Sequence, residues 1–279
     1  MRVKFDKYHA LWNDFIVVDP STRISHRRLP DLTRAICNRR TGIGADGLLW
    51  VSSSRKADRK LDIYNADGGW AEKSGNGLRI AGVHTLKSFR SRKELTFETG
   101  SSIDRVRIGR ALRGGYQVRT ELGEPTFEAS RVPVKTKSRF VINCPVKIGD
   151  TEFPMTCVAV GNPHAVLVVE DFEFDWKTLG GDIETAQVFP NGTNVEFVRP
   201  LTRSRLRLAE WERGVGATGS SGTGAAAAVC AMVTLGLAER RCTVEFEAGA
   251  LEVDWREKDN IIELSGPVQF VGCGEFDFR

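Results

Sequence analysis

Two short stretches carry residue types that bind anions and could move protons. Ser74-Gly75-Asn76-Gly77 opens one apolar run and Ser221-Gly222-Thr223-Gly224 opens another, at an offset of 221 − 74 = 147 residues. Glycine lets the backbone turn sharply and approach a ligand closely. The first N–H groups of a helix lack intrahelical acceptors, and the helix dipole makes that end partly positive. Each turn is therefore a candidate anion cradle. Two such cradles on similar half-chains, facing one another across a cleft, would hold one carboxylate or one developing carbanion. Ser74 and Ser221 also fit a purely structural part, because serine ahead of a helix caps it by accepting an N–H two or three residues on.

The polar residues around these turns share a character. Glu212 and Arg213 directly precede the second turn. An acid and a base side by side suit the ammonium and carboxylate of one small zwitterion, and arginine favours bidentate carboxylate recognition. As a surface ion pair the same two residues would contribute little. Asn13, Asn65, Asn162 and Asn194 stand at turns or strand ends. Asparagine needs no function there, since it tolerates left-handed backbone and bonds its own chain.

The elements that must position these residues are short. Strands are expected over residues 3–8, 16–19, 48–51, 61–64, 96–98, 103–108 and 116–120, with helical spacing over 28–38 and after Ser74. The later half repeats the style, with strands at 140–148, 156–160, 165–169, 193–198, 206–211, 243–246, 251–255 and 261–264, and a long apolar helix after Ser221. Strands every 8–12 residues with one long helix per half predict an α+β fold. Each domain would be a β-rich wrap around a central helix. The 279-residue length allows one large or two medium domains. The half-length repeat favours two, residues 1–122 and 123–267, with a late strand from 268 returning to the first.

At 41% hydrophobic and 27% charged the composition is that of an ordinary globular protein. Forty basic and 36 acidic residues leave a net charge of +4, too mixed to argue for nucleic acid. The N-terminus lacks the apolar core of a signal peptide, and the apolar run 225–238 is shorter than the ~20 residues needed to span a bilayer. A cytoplasmic chain without membrane or nucleic-acid partners is expected. The six cysteines, Cys37, Cys144, Cys157, Cys230, Cys242 and Cys273, show no CxxC spacing, so neither a metal site nor a disulfide framework is indicated.

Read together, the motifs resemble the diaminopimelate epimerase family nearly end to end. They are Asn13-Asp14-Phe15, GIGADG at 42–47, NADG at 65–68, SGNG at 74–77, GNPH at 161–164, GTNVEF at 192–197, WERGVG at 211–216 and SGTGA at 221–225. The resemblance implies two pseudo-symmetric halves, each a β-barrel-like antiparallel sheet wrapped around a central helix, and a cofactor-free homodimeric enzyme of lysine biosynthesis that inverts one α-carbon of a small amino-acid substrate. It assigns Asn13, Asn65, Asn162, Asn194 and Arg213 to the distal end of that substrate. Glu212, with the backbone at Gly75-Asn76 and Gly222-Thr223, would hold the reacting amino acid.

One departure bears on the chemistry. The family carries a catalytic cysteine on each cradle, one thiolate removing the α-proton and the other thiol returning a proton to the opposite face. This chain has Ser74 and Ser221 there, and none of its cysteines lies in either motif. A thiol of pKa ~8.5 can be ionised by a helix N-terminus, whereas an alcohol needs an adjacent base. Lys73 is one candidate for that base, if burial lowers its pKa. The sequence thus leaves open an epimerase with altered acid–base groups, a non-catalytic binder of such zwitterions, and an isomerase of carboxylic acids using another base.

Overall fold

The computed structural model describes residues 1–18, 21–22, 24–71, 74–89, 92–100 and 102–278. The chain forms two compact units, Met1–Glu121 with Ser265–Arg279, and Leu122–Leu264. Four α-helices occur among the described residues: α1 (Leu29–Cys37), α2 (Gly75–Leu86), α3 (Trp176–Glu184) and α4 (Gly222–Thr234).

In the first unit, eight strands close into a barrel around α2. The ring runs Arg2–Ala10, Asn13–Val18, Gly47–Ser52, Arg59–Asn65, Glu94–Thr99, Ser102–Leu112 and Gly115–Gly123, then the strand Ile262–Asp277, which pairs back onto Arg2–Ala10. The sheet is antiparallel except where a helix intervenes. Asn13–Val18 pairs in parallel with Gly47–Ser52 across α1, and Arg59–Asn65 with Glu94–Thr99 across α2, because a helical crossover returns the chain in its original direction.

Strand alternation explains both helices. Phe15, Val17, Leu49, Val51, Leu61 and Ile63 point inward and pack with Leu78, Ile80, Ala81 and Val83 of α2. Their neighbours Ile16, Val18, Leu48, Trp50 and Tyr64 point outward and are covered by Leu29, Leu32 and Ile36 of α1. Strands buried on both faces read as continuous apolar runs, as Leu48-Leu49-Trp50-Val51 does.

The second unit repeats this order. Thr151–Ala159 pairs antiparallel with Pro163–Val168, which pairs in parallel with Asn194–Thr202 across α3. Asn194–Thr202 pairs antiparallel with Arg205–Glu212, which pairs in parallel with Arg241–Phe246 across α4, and Gly249–Trp255 closes the series. Helix α4 is buried on every face from Gly224 to Met232, as its alanine-rich sequence requires of a central helix.

Helix α3 is the element the sequence pattern missed. Gly180 and Gly181 lie in its middle, a poor helical signal, yet Gly180 is where the indole of Trp211 crosses. A Cβ there would stand 2.8 Å from Trp211 Cβ. The strand expected over 140–148 is shorter, Cys144–Ile148, while 261–264 and the segment from 268 are one continuous strand. The turn before Asn13 is also tighter than anticipated. Leu11 and Trp12, at φ of 50° and 69°, form the whole hairpin loop, with the two positive φ values that a two-residue turn demands.

The first unit's closing seam depends on one residue. A Cβ on Gly115 would sit 1.9 Å from the Val268 carbonyl oxygen. Gly115→Ala should therefore cost more than ~3 kcal/mol, the range of severe core substitutions, measured as a drop in urea midpoint. A loss within ~0.5 kcal/mol, typical of a surface change, would show that the seam is not closed in this way.

Candidate functional site

Each unit presents the same local construction at the start of its central helix. In the first, Ser74 has extended backbone and its hydroxyl accepts the Gly77 N–H at 3.0 Å. In the second, Ser221 does the same with Gly224 at 3.1 Å. The Ser74 and Ser221 carbonyls take the Leu78 and Ala225 N–H groups. The N–H groups of Gly75 and Asn76, and of Gly222 and Thr223, remain outside the helices' own bonding. Both serines are thus N-caps, each with its hydroxyl proton still available to donate.

Around α2, a polar chain fixes the asparagines. Asn76 Nδ2 donates to Asn13 Oδ1 at 3.0 Å, and Asn13 Nδ2 donates to Asp46 Oδ2 at 2.9 Å. Asp46 also accepts from Arg39, which bonds Asp14 at 2.7 Å alongside Lys7 at 2.8 Å. Burial pushes the Asp14 carboxyl up, but the bonds from Arg39 and Lys7 outweigh it and hold the acid below its usual range. Arg79 donates to Asn76 Oδ1 from a fully buried position. Desolvation lowers that guanidinium to about 10. Asn65 is exposed at the end of its strand, where a turn closed by Gly68 and Gly69 holds its backbone.

Around α4, the predicted residues are joined by acids that periodicity did not single out. His164 contacts Glu196 Oε1 through Nδ1 at 2.6 Å and Asn162 Oδ1 through Nε2 at 2.8 Å. Asn194 donates to the Pro163 carbonyl and accepts the Arg213 N–H at 2.9 Å. The Arg213 guanidinium reaches the Asn191 carbonyl at 3.1 Å. The Thr218 hydroxyl lies 2.7 Å from Glu212 Oε1 and 2.8 Å from Glu210 Oε1. Glu196 and Glu210 face each other across neighbouring strands, each about 1% exposed.

The structure therefore gathers Asn13, Asn76, Ser74 and the Gly75 backbone in one group, and Asn162, Asn194, Glu212, Arg213, Ser221, Gly222 and Thr223 in another. Asn65 stands at the end of the strand that leads to the first. Lys73 lies outside the described residues. Asp46, Arg79, His164, Glu196, Glu210 and Thr218 are additions. For Glu210 the signal was an acid on the inward phase of its strand, where Leu206, Leu208 and Glu210 share one buried face. Of the cysteines, burial pushes Cys37 and Cys157 up to about 12 and Cys242 to about 11, far from thiolate chemistry at neutral pH.

The family model for diaminopimelate epimerase matches residues 5–125 and 156–271. The chain belongs to the diaminopimelate epimerase family. It is 39% identical to the diaminopimelate epimerase of Caldanaerobacter subterraneus subsp. tengcongensis, over 99% of this chain and 100% of that one. It is 36% identical to that of Methanococcus maripaludis, again over 99% and 100%. Among solved structures, a PhzF-family phenazine biosynthesis protein from Bacillus anthracis superposes with a TM-score of 0.70 at 13% identity, each chain fully covered. A hydroxyproline epimerase from Agrobacterium vitis gives 0.66 at 13%, covering 99% of this chain and 91% of that one. At that identity the structural likeness concerns the fold.

The buried acids make the folded chain respond to pH in a particular way. Desolvation, reinforced by Glu212, raises Glu196 and Glu210 well above the ordinary carboxylate range. Their contribution to stability is complete below the unfolded value of ~4.3 and is lost as pH rises through the raised folded values. His164, pushed down to about 3 by burial, has the opposite sign: its share is present above ~6.5 and lost as pH falls. The urea midpoint should fall as pH is raised, and Glu210→Gln should flatten that fall. Equal slopes for the two proteins would contradict the assignment.

Proposed function

We propose that this chain binds diaminopimelate, or a zwitterion of the same chemistry, and exchanges the proton on its α-carbon through acid–base groups other than a thiol pair. The observation that carries the reading is the paired construction itself: two N-capped, glycine-rich helix starts, in a member of this family, each beside the residues that match the family's binding motifs. The free N–H groups of Gly75, Asn76, Gly222 and Thr223 favour the carboxylate and any charge that develops beside it. Glu212 takes the ammonium, and the asparagines with Arg213 take the distal end. A cytoplasmic homodimer, as the family resemblance implies, belongs to the same reading.

Serine limits the rate. A capping hydroxyl accepts one N–H, which stabilises developing negative charge but falls short of ionising an alcohol at neutral pH. A second reading, a binder without turnover, draws on the same fact that both hydroxyls are occupied as caps.

Two measurements test this. Calorimetry with diaminopimelate should show binding, and α-proton exchange in deuterated water should be slow but measurable. Ser74→Cys combined with Ser221→Cys should raise exchange by ~10²–10⁴-fold, the usual contribution of a positioned acid–base group. Binding without any exchange would favour the binder. No binding would reject the assignment of substrate.

A further inference from the structure

The two helix starts share a backbone but not a floor. The 147-residue offset that carries Ser74 onto Ser221 also carries Gly77 onto Gly224, Leu49 onto Glu196 and Ile63 onto Glu210. Under Gly77, a Cβ would meet Leu49 Cδ2 at 3.0 Å; under Gly224, it would meet Glu210 Oε2 at 2.5 Å and Glu196 Oε1 at 3.2 Å. The first unit shows that this architecture is satisfied by leucine and isoleucine. The acids of the second unit are therefore not demanded by the fold, and burying them is costly.

Their hydrogen bonds locate protons. Thr218 has one hydroxyl proton but lies within 2.8 Å of two carboxyl oxygens, on Glu210 and Glu212. It donates to one, so the other contact needs a proton carried by the carboxyl. Glu210 is the buried member of that pair, and its Oε2 has no partner. His164 presents the same arithmetic. With Nε2 donating to Asn162 Oδ1, a neutral ring can only accept at Nδ1, so Glu196 supplies that proton. The charged and titratable groups facing the acids are Glu212, His164 and Arg213.

We propose that Glu210 is the proton store of the second half-site, exchanging its proton with Glu212 through the Thr218 hydroxyl. In the forward sense the Glu210 O–H breaks as Thr218 Oγ gains that proton. The original Thr218 O–H breaks as Glu212 gains its proton, leaving Glu210 as carboxylate and Glu212 as carboxylic acid. The reverse sequence returns the proton. Glu210 acts through Glu212 and touches no substrate itself. The relay gives Glu212 an acid form in the second half-site without a thiol. Its part in turnover rests on the epimerase reading above, whereas the location of the proton does not.

Infrared spectroscopy on the ligand-free full chain near neutral pH tests the location. Protonated-carboxyl bands should be present. Glu210→Gln should remove one, Thr218→Val should shift the same one, and Thr218→Ser should leave it in place. Absence of such bands, or a spectrum indifferent to Glu210→Gln, overturns the proposal; if that variant does not fold, the Thr218→Val shift decides. For turnover, Thr218→Val should slow α-proton exchange on diaminopimelate ~100-fold, within the range of acid–base catalysis. Its calorimetric Kd should stay unchanged, and Thr218→Ser should restore the rate. Undiminished exchange in Thr218→Val, or binding without exchange in the wild type, counts against the relay. A wild type that does not bind diaminopimelate refutes the epimerase reading, while the infrared result still stands.

Discussion

The structure depends on how closely each central helix presses its first turn onto the strands beneath it. Gly77 and Gly224 are the points of contact, with less than van der Waals room for a Cβ at either. That approach fixes the helix start relative to the inward-facing strand residues. It also leaves the next-door serine to cap the helix and the preceding N–H groups to face outward. The cradle is thus a consequence of packing: a wholly buried helix must begin at the mouth of its barrel, where its unbonded N–H groups can meet solvent or a ligand.

Because the backbone is held so similarly in the two units, the side chains beneath it decide the chemistry. Leucine and isoleucine form an apolar floor in the first, and a buried cation, Arg79, orients Asn76 and through it Asn13. In the second unit the same positions hold carboxyls, bonded upward to Thr218 and sideways to His164. One start is biased by a buried positive charge and the other by buried protons.

The serine caps give this asymmetry added weight. A thiol can ionise with help from a helix terminus, whereas the hydroxyl here works as a cap and an alcohol needs an adjacent base. The carboxyls of Glu196 and Glu210 on the second unit's strands are held well above the ordinary carboxylate range by burial.

The sequence by itself determined the repeat, the apolar central helices, the glycine-rich turns and the family, because all of these are local patterns of residue type and spacing. Strand periodicity likewise foretold most of the sheet. It did not yield α3, since paired glycines hide a helix whose stability comes from packing against Trp211. It anticipated a late strand from 268 but not its continuity with 261–264, because the partner that keeps it extended, Arg2–Ala10, lies at the far end of the chain. The acid pair was beyond it for the same reason. Glu196 and Glu210 are separated in sequence, and only the pairing of their strands puts two carboxyls under one glycine, where burial keeps their protons on.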